Sequence, residues 1–428
     1  MKKNVEVLSS MVGKIRPDSV EDYVKMGGYT ALKKAMNMEP LTIVEEVKKS
    51  NLMGRGGAAY PTGIGWEQGI SNPNYPKYMV CNGDEGEPGT YKDRFILEGN
   101  PLIMIEGMTI AAFVHKIEKG YIYIRGEYSA IQRIVKDAIE NAKAARFLGE
   151  KILGTDMNFD LEVISGAGAY VCGENTALVE SIEGKSGRPR MKPPYLKNQG
   201  LYMRPTLLNN VETFSNIPYI VNEGGENYAA LGYERSGGTK LVSLAGNITN
   251  KKVFEVPFGM TIREVIEDLG GGVPNGKKVK FVQMGGNSGA CFPESKLDTR
   301  LDYTELKKNG MTLGSGAILV VDETNCPVDI LKVIMEFFVH ESCGKCTPCR
   351  EGNLRILHLL EKLSSGHGTK ADIEKIKTIV KAMKSAAFCG LGESVIQPVN
   401  SLLKHFKEEF EEHAEGNCRA GICPMNRE

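Results

Sequence analysis

Cys343, Cys346 and Cys349 recur at every third position in HESCGKCTPCREG, and a fourth thiol, Cys389, follows in SAAFCGLGES. Two successive Cys-x-x-Cys steps can set three thiolates about one corner of an iron-sulfur cubane, with a fourth from a distant helix end completing the ligand set. A four-thiolate zinc site usually pairs its ligands two and two, so the three-plus-one spacing favours a 4Fe-4S cluster over zinc. Inert buried thiols are the plain alternative, and they need no such spacing. Electron transfer is the chemistry implied.

A second set lies in the tail. His413, Cys418 and Cys423 are evenly spaced in HAEGNCRAGICP, and Cys326 opens the helical region against which that tail must pack. One imidazole with two or three thiolates would satisfy a closed structural zinc site pinning the terminus; free surface thiols are the alternative. Cys81, Cys172 and Cys291 stand singly among apolar residues or glycines and read as small packing side chains.

Three glycine-rich segments could meet a phosphate-bearing cofactor. In Gly54-Arg55-Gly56-Gly57, glycines let main-chain amides approach a phosphate and the arginine offers a fork for its oxygens, although a plain tight turn uses the same residues. The segment CNGDEGEPGT follows a strand-like run and gathers Asp84, Glu85 and Glu87. Carboxylates at a strand's carboxyl end can accept hydrogen bonds from ribose hydroxyls or a flavin ring N–H; a solvated acidic loop is the alternative, and EF-hand spacing is absent. The third, from Gly166 to Thr176, matches a dinucleotide fingerprint only loosely. Downstream, Arg188, Arg190 and Lys192 join Tyr195 in a proline-stiffened stretch, and Asn209, Asn210 and Thr213 offer amides and a hydroxyl.

These groups must be positioned by several cores, because 428 residues exceed what one hydrophobic core supports. Helices are expected up to about Ser50, including a capping-box-like Ser19-Val-Glu-Asp22 and the amphipathic TIVEEVKKS. From Asn51 to Gly238, glycine turns alternate with strand-like KYMVCNG, GYIYIRG and LEVISGAG and with the helical SAIQRIVKDAIENAKAA, which indicates an α/β unit with a largely parallel sheet. A hairpin turning near Thr249-Asn250, a helix in MTIREVIEDLGG and a strand in KVKFVQMGG suggest a β-grasp unit over 239–322. From 323 to 428 four stretches with apolar residues at three- and four-residue steps predict a helical bundle holding the cluster cysteines in its connections.

Lys plus Arg and Asp plus Glu balance at 53 each, so no net field draws the chain to nucleic acid or an anionic membrane. The greasiest run, PLIMIEGMTIAAFVH, is short and interrupted by Glu106, so direct membrane insertion is not expected. Ten cysteines suit reducing conditions and metal ligation, and a cytoplasmic location is expected.

Taken in order, GRGGAAYPTG, CNGDEGEPGT, GAYVCGENTAL, RPRMKPPY, LNNVET and ESCGKCTPCREG resemble the NADH-binding, FMN-containing 51-kDa-type subunits of respiratory complex I, NAD-linked formate dehydrogenases and multimeric iron-iron hydrogenases. The likeness runs from about Tyr23 to Pro398. It implies a Rossmann-like FMN/NADH-binding domain over 1–238, then the β-grasp domain and a four-helix iron-sulfur domain. By matching position, it places Gly54, Arg55, Gly56, Asn82, Asp84, Glu85, Tyr170, Gly173, Glu174, Asn209, Asn210 and Thr213 around FMN, and Tyr60, Glu87, Lys192 and Tyr195 around NAD(H). The implied activity is hydride transfer from NADH to FMN and electron release through the 4Fe-4S cluster, with no side chain needed as proton donor.

Departures from the family's pattern are Gly65 for a lysine, Gln68 for an aromatic, Asn175 for an acid and Ala59 for a glycine. Losing a cation beside a flavin should make its reduction harder. The 428 residues carry neither a thioredoxin-like 2Fe-2S module nor a double-cluster ferredoxin domain, so the resemblance implies partners: a small 2Fe-2S thioredoxin-like subunit and a larger iron-sulfur or hydrogenase-like one, with ferredoxin reached through the complex. The opening residues and tail cysteines look more like soluble hydrogenase or electron-bifurcating transhydrogenase assemblies than like complex I. A complex I subunit, or a scaffold that has lost its flavin, are the alternatives.

Overall fold

The computed structural model describes residues 5–426. Four strands, β1 (Tyr78–Gly83), β2 (Lys119–Ile124), β3 (Asp160–Ser165) and β4 (Thr206–Asn210), form an all-parallel sheet in the order β3-β2-β1-β4. Parallel neighbours need crossovers. Helices Lys92–Gly99 and Pro101–His115 carry the chain from β1 to β2, and Ser129–Ala144 carries it from β2 to β3. Because β2 and β4 leave β1 on opposite sides, the connections diverge at the carboxyl ends of β1 and β4, where an open sheet of this kind forms its ligand crevice.

The run PLIMIEGMTIAAFVH is an internal helix in which every residue but Phe113 is buried. Its Glu106 is structural: the carboxylate accepts from Tyr23 Oη at 2.6 Å and from the Tyr29 and Leu32 amides at 3.0 Å each, pinning the opening helices. Gly107 lets this helix touch Phe214, since a Cβ there would lie 2.0 Å from the Phe214 carbonyl oxygen. At Ser19 the expected capping box is half formed. Its Oγ accepts from the Asp22 amide, while the Asp22 carboxylate turns to Arg16. Among the described residues no single helix is long and apolar enough to cross a membrane; Lys92–Gly99 and Pro101–His115 reach that composition only together, bent by 95°.

The second sheet is mixed. β5 (Thr239–Gly246), β6 (Val253–Pro257), β7 (Val279–Met284), β8 (Ala290–Pro293) and β9 (Ala317–Asp322) run in the order β6-β5-β9-β7-β8. β5 pairs parallel with β9, and the other neighbours are antiparallel. The expected hairpin is β5–β6, and its helix follows at Ile262–Glu264, continuing to Leu269. Strands β8 and β9 have little mark in the sequence, because short apolar runs between glycine turns carry little periodic signal.

Helices Pro327–Glu341, Thr347–Ser364, Lys370–Ala386, Ile396–His405 and Lys407–Ala414 complete the chain. The last predicted stretch divides at Phe406, whose ring packs on Phe281 of β7 with centroids 5.2 Å apart. Cys81, Cys172 and Cys291 are buried, as packing residues would be.

His115 ends the buried helix with neither ring nitrogen hydrogen-bonded, edge-on to Trp66 with centroids 5.4 Å apart. Burial, aided by the charge of Lys77, pulls its pKa from 6.5 to about 3. Above pH 6.5 the imidazole is neutral in both folded and unfolded chains. Below it the unfolded chain takes a proton that the native one refuses, so stability falls with pH by about 1.4 kcal/mol per unit. His115→Leu should therefore shrink the gap in melting temperature between pH 7.5 and pH 5.5. An unchanged gap, followed through the fluorescence of the lone tryptophan, would refute this role.

Candidate active site

At the crevice, Asn82 of β1 lies beside Asn210 of β4, and Cys81 beside Asn209. The Asn82 side chain donates to the Gly173 carbonyl at 3.0 Å and accepts from the Asp84 amide at 3.0 Å, stitching the loop after β1 to the turn Tyr170–Gly173. Asn210 donates to the Asn82 carbonyl at 3.1 Å and to Asp93 at 2.7 Å. Asn209 accepts from Trp66 Nε1 at 3.1 Å, which ties it to the helix Thr62–Ile70. The 54–57 loop closes the same crevice: Arg55 N–H donates to Thr213 Oγ1 at 2.9 Å, and Gly56 packs so closely that a Cβ would sit 3.2 Å from that of Asn210. Asn82, Asp84, Gly173, Asn210, Arg55, Gly56 and Thr213 are thus brought together at the carboxyl ends of β1 and β4.

The side chains of two of the sequence-derived FMN residues have partners inside the fold. The Arg55 guanidinium offers no phosphate fork, because it is buried and donates to the carbonyls of Met53, Gly237 and Thr239 and to Tyr228 Oη, while lying 4.8 Å from the Phe258 ring centroid. It binds the loop to the second sheet. Glu85 is also spent internally, accepting from the Asp93 and Arg94 amides at 2.8 and 2.9 Å at the start of a helix. Burial raises its pKa to about 7.

Asp84 is different. Its Oδ2 is buried without a partner, and burial lifts its pKa to about 7. Such an orphan acceptor costs about 1–3 kcal/mol unless a bound group satisfies it. A ribityl hydroxyl or a flavin N–H at the crevice would do so, which fits FMN. Ala59 adopts φ +52° where the family pattern has glycine, so this chain holds the loop with some backbone strain.

Glu87 accepts from Tyr170 Oη, and from Ser288 N and Oγ at 2.9 and 3.0 Å. Glu174 caps the helix Asn175–Ile182 through the amides of Thr176 and Ala177 and pairs with Lys192. Tyr60 and Tyr195 are each 53 % exposed, leaving two large rings open to a planar ligand. Gly65 has open space: a Cβ there would meet only the Tyr60 ring, at 3.7 Å.

Cys343, Cys346, Cys349 and Cys389 line one hollow with Val171, Pro189, Ser342, Lys345, Phe388 and Leu391. Cys346 and Cys389 are the residues that open the helices Thr347–Ser364 and Gly390–Ser394. Cys389 accepts from the Leu391 and Gly392 amides, and Cys349 touches Ser342 Oγ at 3.3 Å and Asn353 Nδ2 at 3.4 Å. Four converging sulfurs with N–H and O–H donors behind them fit a cubane. Burial, with the neighbouring thiols, pushes Cys349 up to about 11, a cost that bound iron would remove.

Among the described residues, a group closing to single-ion dimensions lies in the tail. Cys326, His413, Cys418 and Cys423 are all buried, with ligand atoms within 4.8 Å of one another. His413 Nδ1 lies 2.6 Å from the Glu409 carbonyl oxygen, so its proton belongs there and Nε2 faces the Cys326 and Cys423 sulfurs, each at 3.3 Å.

Sequence reasoning passed over the residues that hold the site together. Glu212 lies within LNNVET and is wholly buried against Lys240 and Lys92. Glu341, which accepts from the Tyr170 amide at 3.0 Å, and Ser288 gave no local signal, because their partners are 171 and 201 residues away.

Residues 47–219 match the Nuo51 FMN-binding domain, and residues 329–413 match the NADH-ubiquinone oxidoreductase-F iron-sulfur binding region. Over 99% of its length the chain is 43% identical to the NADP-reducing hydrogenase protein HndC of Solidesulfovibrio fructosivorans, covering 86% of that protein. Over 92% it is 44% identical to an NADH-quinone oxidoreductase subunit of Rhizobium meliloti, covering 94% of it. Among solved structures it is similar to a chain of an NAD+-reducing NiFe hydrogenase in the H2-reduced state, with a TM-score of 0.84 and 33% identity over 96% of this chain. It spans 66% of that chain's length, just under two thirds. A shared crevice, a four-cysteine hollow and identities above 40% along nearly the whole sequence lead to one conclusion: the chain belongs to the family of FMN-binding, iron-sulfur subunits that NADH-quinone oxidoreductases and NADP-reducing hydrogenases have in common.

Proposed function

We propose that this chain is the NAD(H)-oxidoreducing flavoprotein subunit of a soluble multi-subunit complex of hydrogenase or transhydrogenase type. The observation that carries this reading is the turn Tyr170–Gly173. Tyr170 donates to Glu87 at the crevice, and the next residue, Val171, walls the cysteine hollow. Glu341 grips the Tyr170 amide and Phe337 packs on its ring, with centroids 5.1 Å apart, so helix Pro327–Glu341 fixes one site against the other. Lys345 adds a second tie, donating from the cluster loop to the Pro189 carbonyl. Adjacent residues therefore span the two redox sites.

When bound, FMN supplies a hydride acceptor that can pass electrons singly to the 4Fe-4S cluster. The chain's own residues position the groups. Gly54, Gly56, Asn209, Asn210 and Thr213 would line the flavin site, Asp84 would satisfy a ring N–H or ribityl hydroxyl, and Tyr60, Glu87, Lys192 and Tyr195 would receive the nicotinamide nucleotide. Arg55, Asn82, Glu85, Tyr170, Gly173 and Glu174 hold the crevice in shape through the contacts described above.

The strand orders support the finer architecture: a Rossmann-like half over 1–238, a β-grasp unit over 239–322 with its first and last strands parallel, and a helical iron-sulfur unit over 323–428. Onward electron transfer would use a thioredoxin-like 2Fe-2S partner and a larger iron-sulfur or hydrogenase-like subunit in the cytoplasm, with ferredoxin reached through them. The likeness to an NADP-reducing hydrogenase protein along 99% of this chain supports this reading, and a complex I subunit is the alternative that the equally similar NADH-quinone oxidoreductase relatives keep. The tail quartet would hold zinc, since two 2.3 Å Zn–S bonds at a tetrahedral angle put sulfurs roughly 3.8 Å apart and Cys423 and Cys326 stand at 3.6 Å.

Anaerobically prepared protein should show flavin and iron-sulfur absorbance bleached by NADH, and Cys389→Ser should abolish the cluster's EPR signal while the flavin still bleaches. Colourless protein would refute the function. Gly65→Lys should raise the flavin potential in a redox titration, because a cation stabilises the anionic reduced ring; no shift would count against the flavin's placement. Metal analysis should find one zinc per chain besides the iron, with Cys423→Ser losing zinc alone. Iron as the sole metal would end the tail proposal.

A further inference from the structure

The second sheet does more than anchor Arg55 and Glu212, because its turns press on the crevice loops. The turn between β7 and β8, Gly285-Gly286-Asn287-Ser288-Gly289, lies directly on Glu87. It can come so close because position 286 has no side chain: a Cβ there would stand 2.2 Å from Glu87 Cγ. The turn is itself anchored, with Gly285 N–H donating to the Ala317 carbonyl at 2.8 Å and Gly289 N–H to the Gly286 carbonyl at 2.9 Å. A neighbouring turn adds Ser315, whose hydroxyl lies 2.8 Å from Thr90 Oγ1 at the far end of the same acidic loop.

Glu87 is the carboxylate that this grip serves. Ser288 N–H takes Oε1, and Ser288 Oγ shares Oε2 with Tyr170 Oη. A carboxylate has about four acceptor sites; these three donors, with the Asn287 amide also bearing on the group, set the one direction from which a further hydroxyl can approach. The Ser288 hydroxyl also lies 3.3 Å from the Gly285 carbonyl, which keeps its rotor in place.

We infer that Ser288 is a positioning residue for the nicotinamide nucleotide: from the second sheet it fixes the orientation from which Glu87 accepts a ribose hydroxyl. The inference rests on the proposed meeting of Glu87 with the nucleotide. It assigns the β7–β8 turn a share in substrate affinity and none in the redox chemistry. Burial raises the Glu87 pKa against the opposing pull of Tyr170, Ser288 and the Asn287 amide, so these donors also help to keep the carboxylate ionised.

The test uses the full chain loaded with FMN and cluster, in its complex. Ser288→Ala should raise KM for NADH, and the dissociation constant of ADP-ribose measured by calorimetry, by about tenfold, the size of one charge-assisted hydrogen bond. Values of kcat and flavin content should stay within about twofold, reflecting a loss confined to binding. Ser288→Thr, which keeps the hydroxyl, should restore both constants, and Gly286→Ala, which pushes Glu87 aside, should reproduce the loss. If Ser288→Ala changes neither constant while Glu87→Gln weakens both, the inference fails and the reading of Glu87 survives. If Glu87→Gln also changes nothing, that reading fails and takes the inference with it. A fall in kcat together with flavin content would show a merely structural role and likewise overturn the proposal.

Discussion

The wholly buried carboxylate of Glu212 is where the two sheets are joined. It follows Asn210 at the end of β4, meets Lys240 Nζ of β5 at 2.6 Å and Lys92 Nζ at 3.2 Å, and accepts from the Leu241 amide at 2.9 Å. Burial alone would push its pKa up, but Lys240, Lys92 and Arg55 outweigh that and keep it ionised. Such a cluster adds little net stability over apolar packing, yet breaking it by removing one member costs about 3–5 kcal/mol. Its effect is to specify a single arrangement of the crevice loops relative to the second sheet.

Arg55 acts in the same way. A guanidinium in a glycine loop suggests an anion, but here the charge is held by three carbonyls, a phenol and an aromatic face. Flavin and nucleotide binding thus depend on a scaffold of buried polar contacts whose partners lie in three separate parts of the chain. Tyr170 has the equivalent place toward the cluster: amide to Glu341, ring to Phe337, hydroxyl to Glu87. Electron transfer needs fixed distances more than it needs acid-base groups, and these ties supply them.

Much of the fold was readable because the relevant signals are local. The glycine-bounded apolar runs of β1, β2 and β3, the hairpin β5–β6 and the three- and four-residue periodicity of the bundle each lie within a short window. β8, β9 and the break at Phe406 were not readable, since what decides them is pairing with β7 and packing on Phe281. The same division runs through the site: Asn82, Asp84 and Asn210 stand out by type and place, while Ser288, Glu341 and Lys240 carry no local mark.

By itself the amino-acid sequence determined the ligand chemistry: four cysteines spaced for a cubane, a Cys-His set in the tail, and carboxamides and carboxylates at strand ends, because donor atoms and short spacings are properties of the covalent chain. Only the tertiary structure decided which of these groups remain available to a ligand. Asp84 keeps a buried oxygen without a partner, whereas both terminal nitrogens of the Arg55 guanidinium and the Glu85 carboxylate have theirs taken. That outcome depends on hydrogen-bond partners brought together from distant segments, and donor and acceptor capacity once used inside the fold cannot be offered outside it.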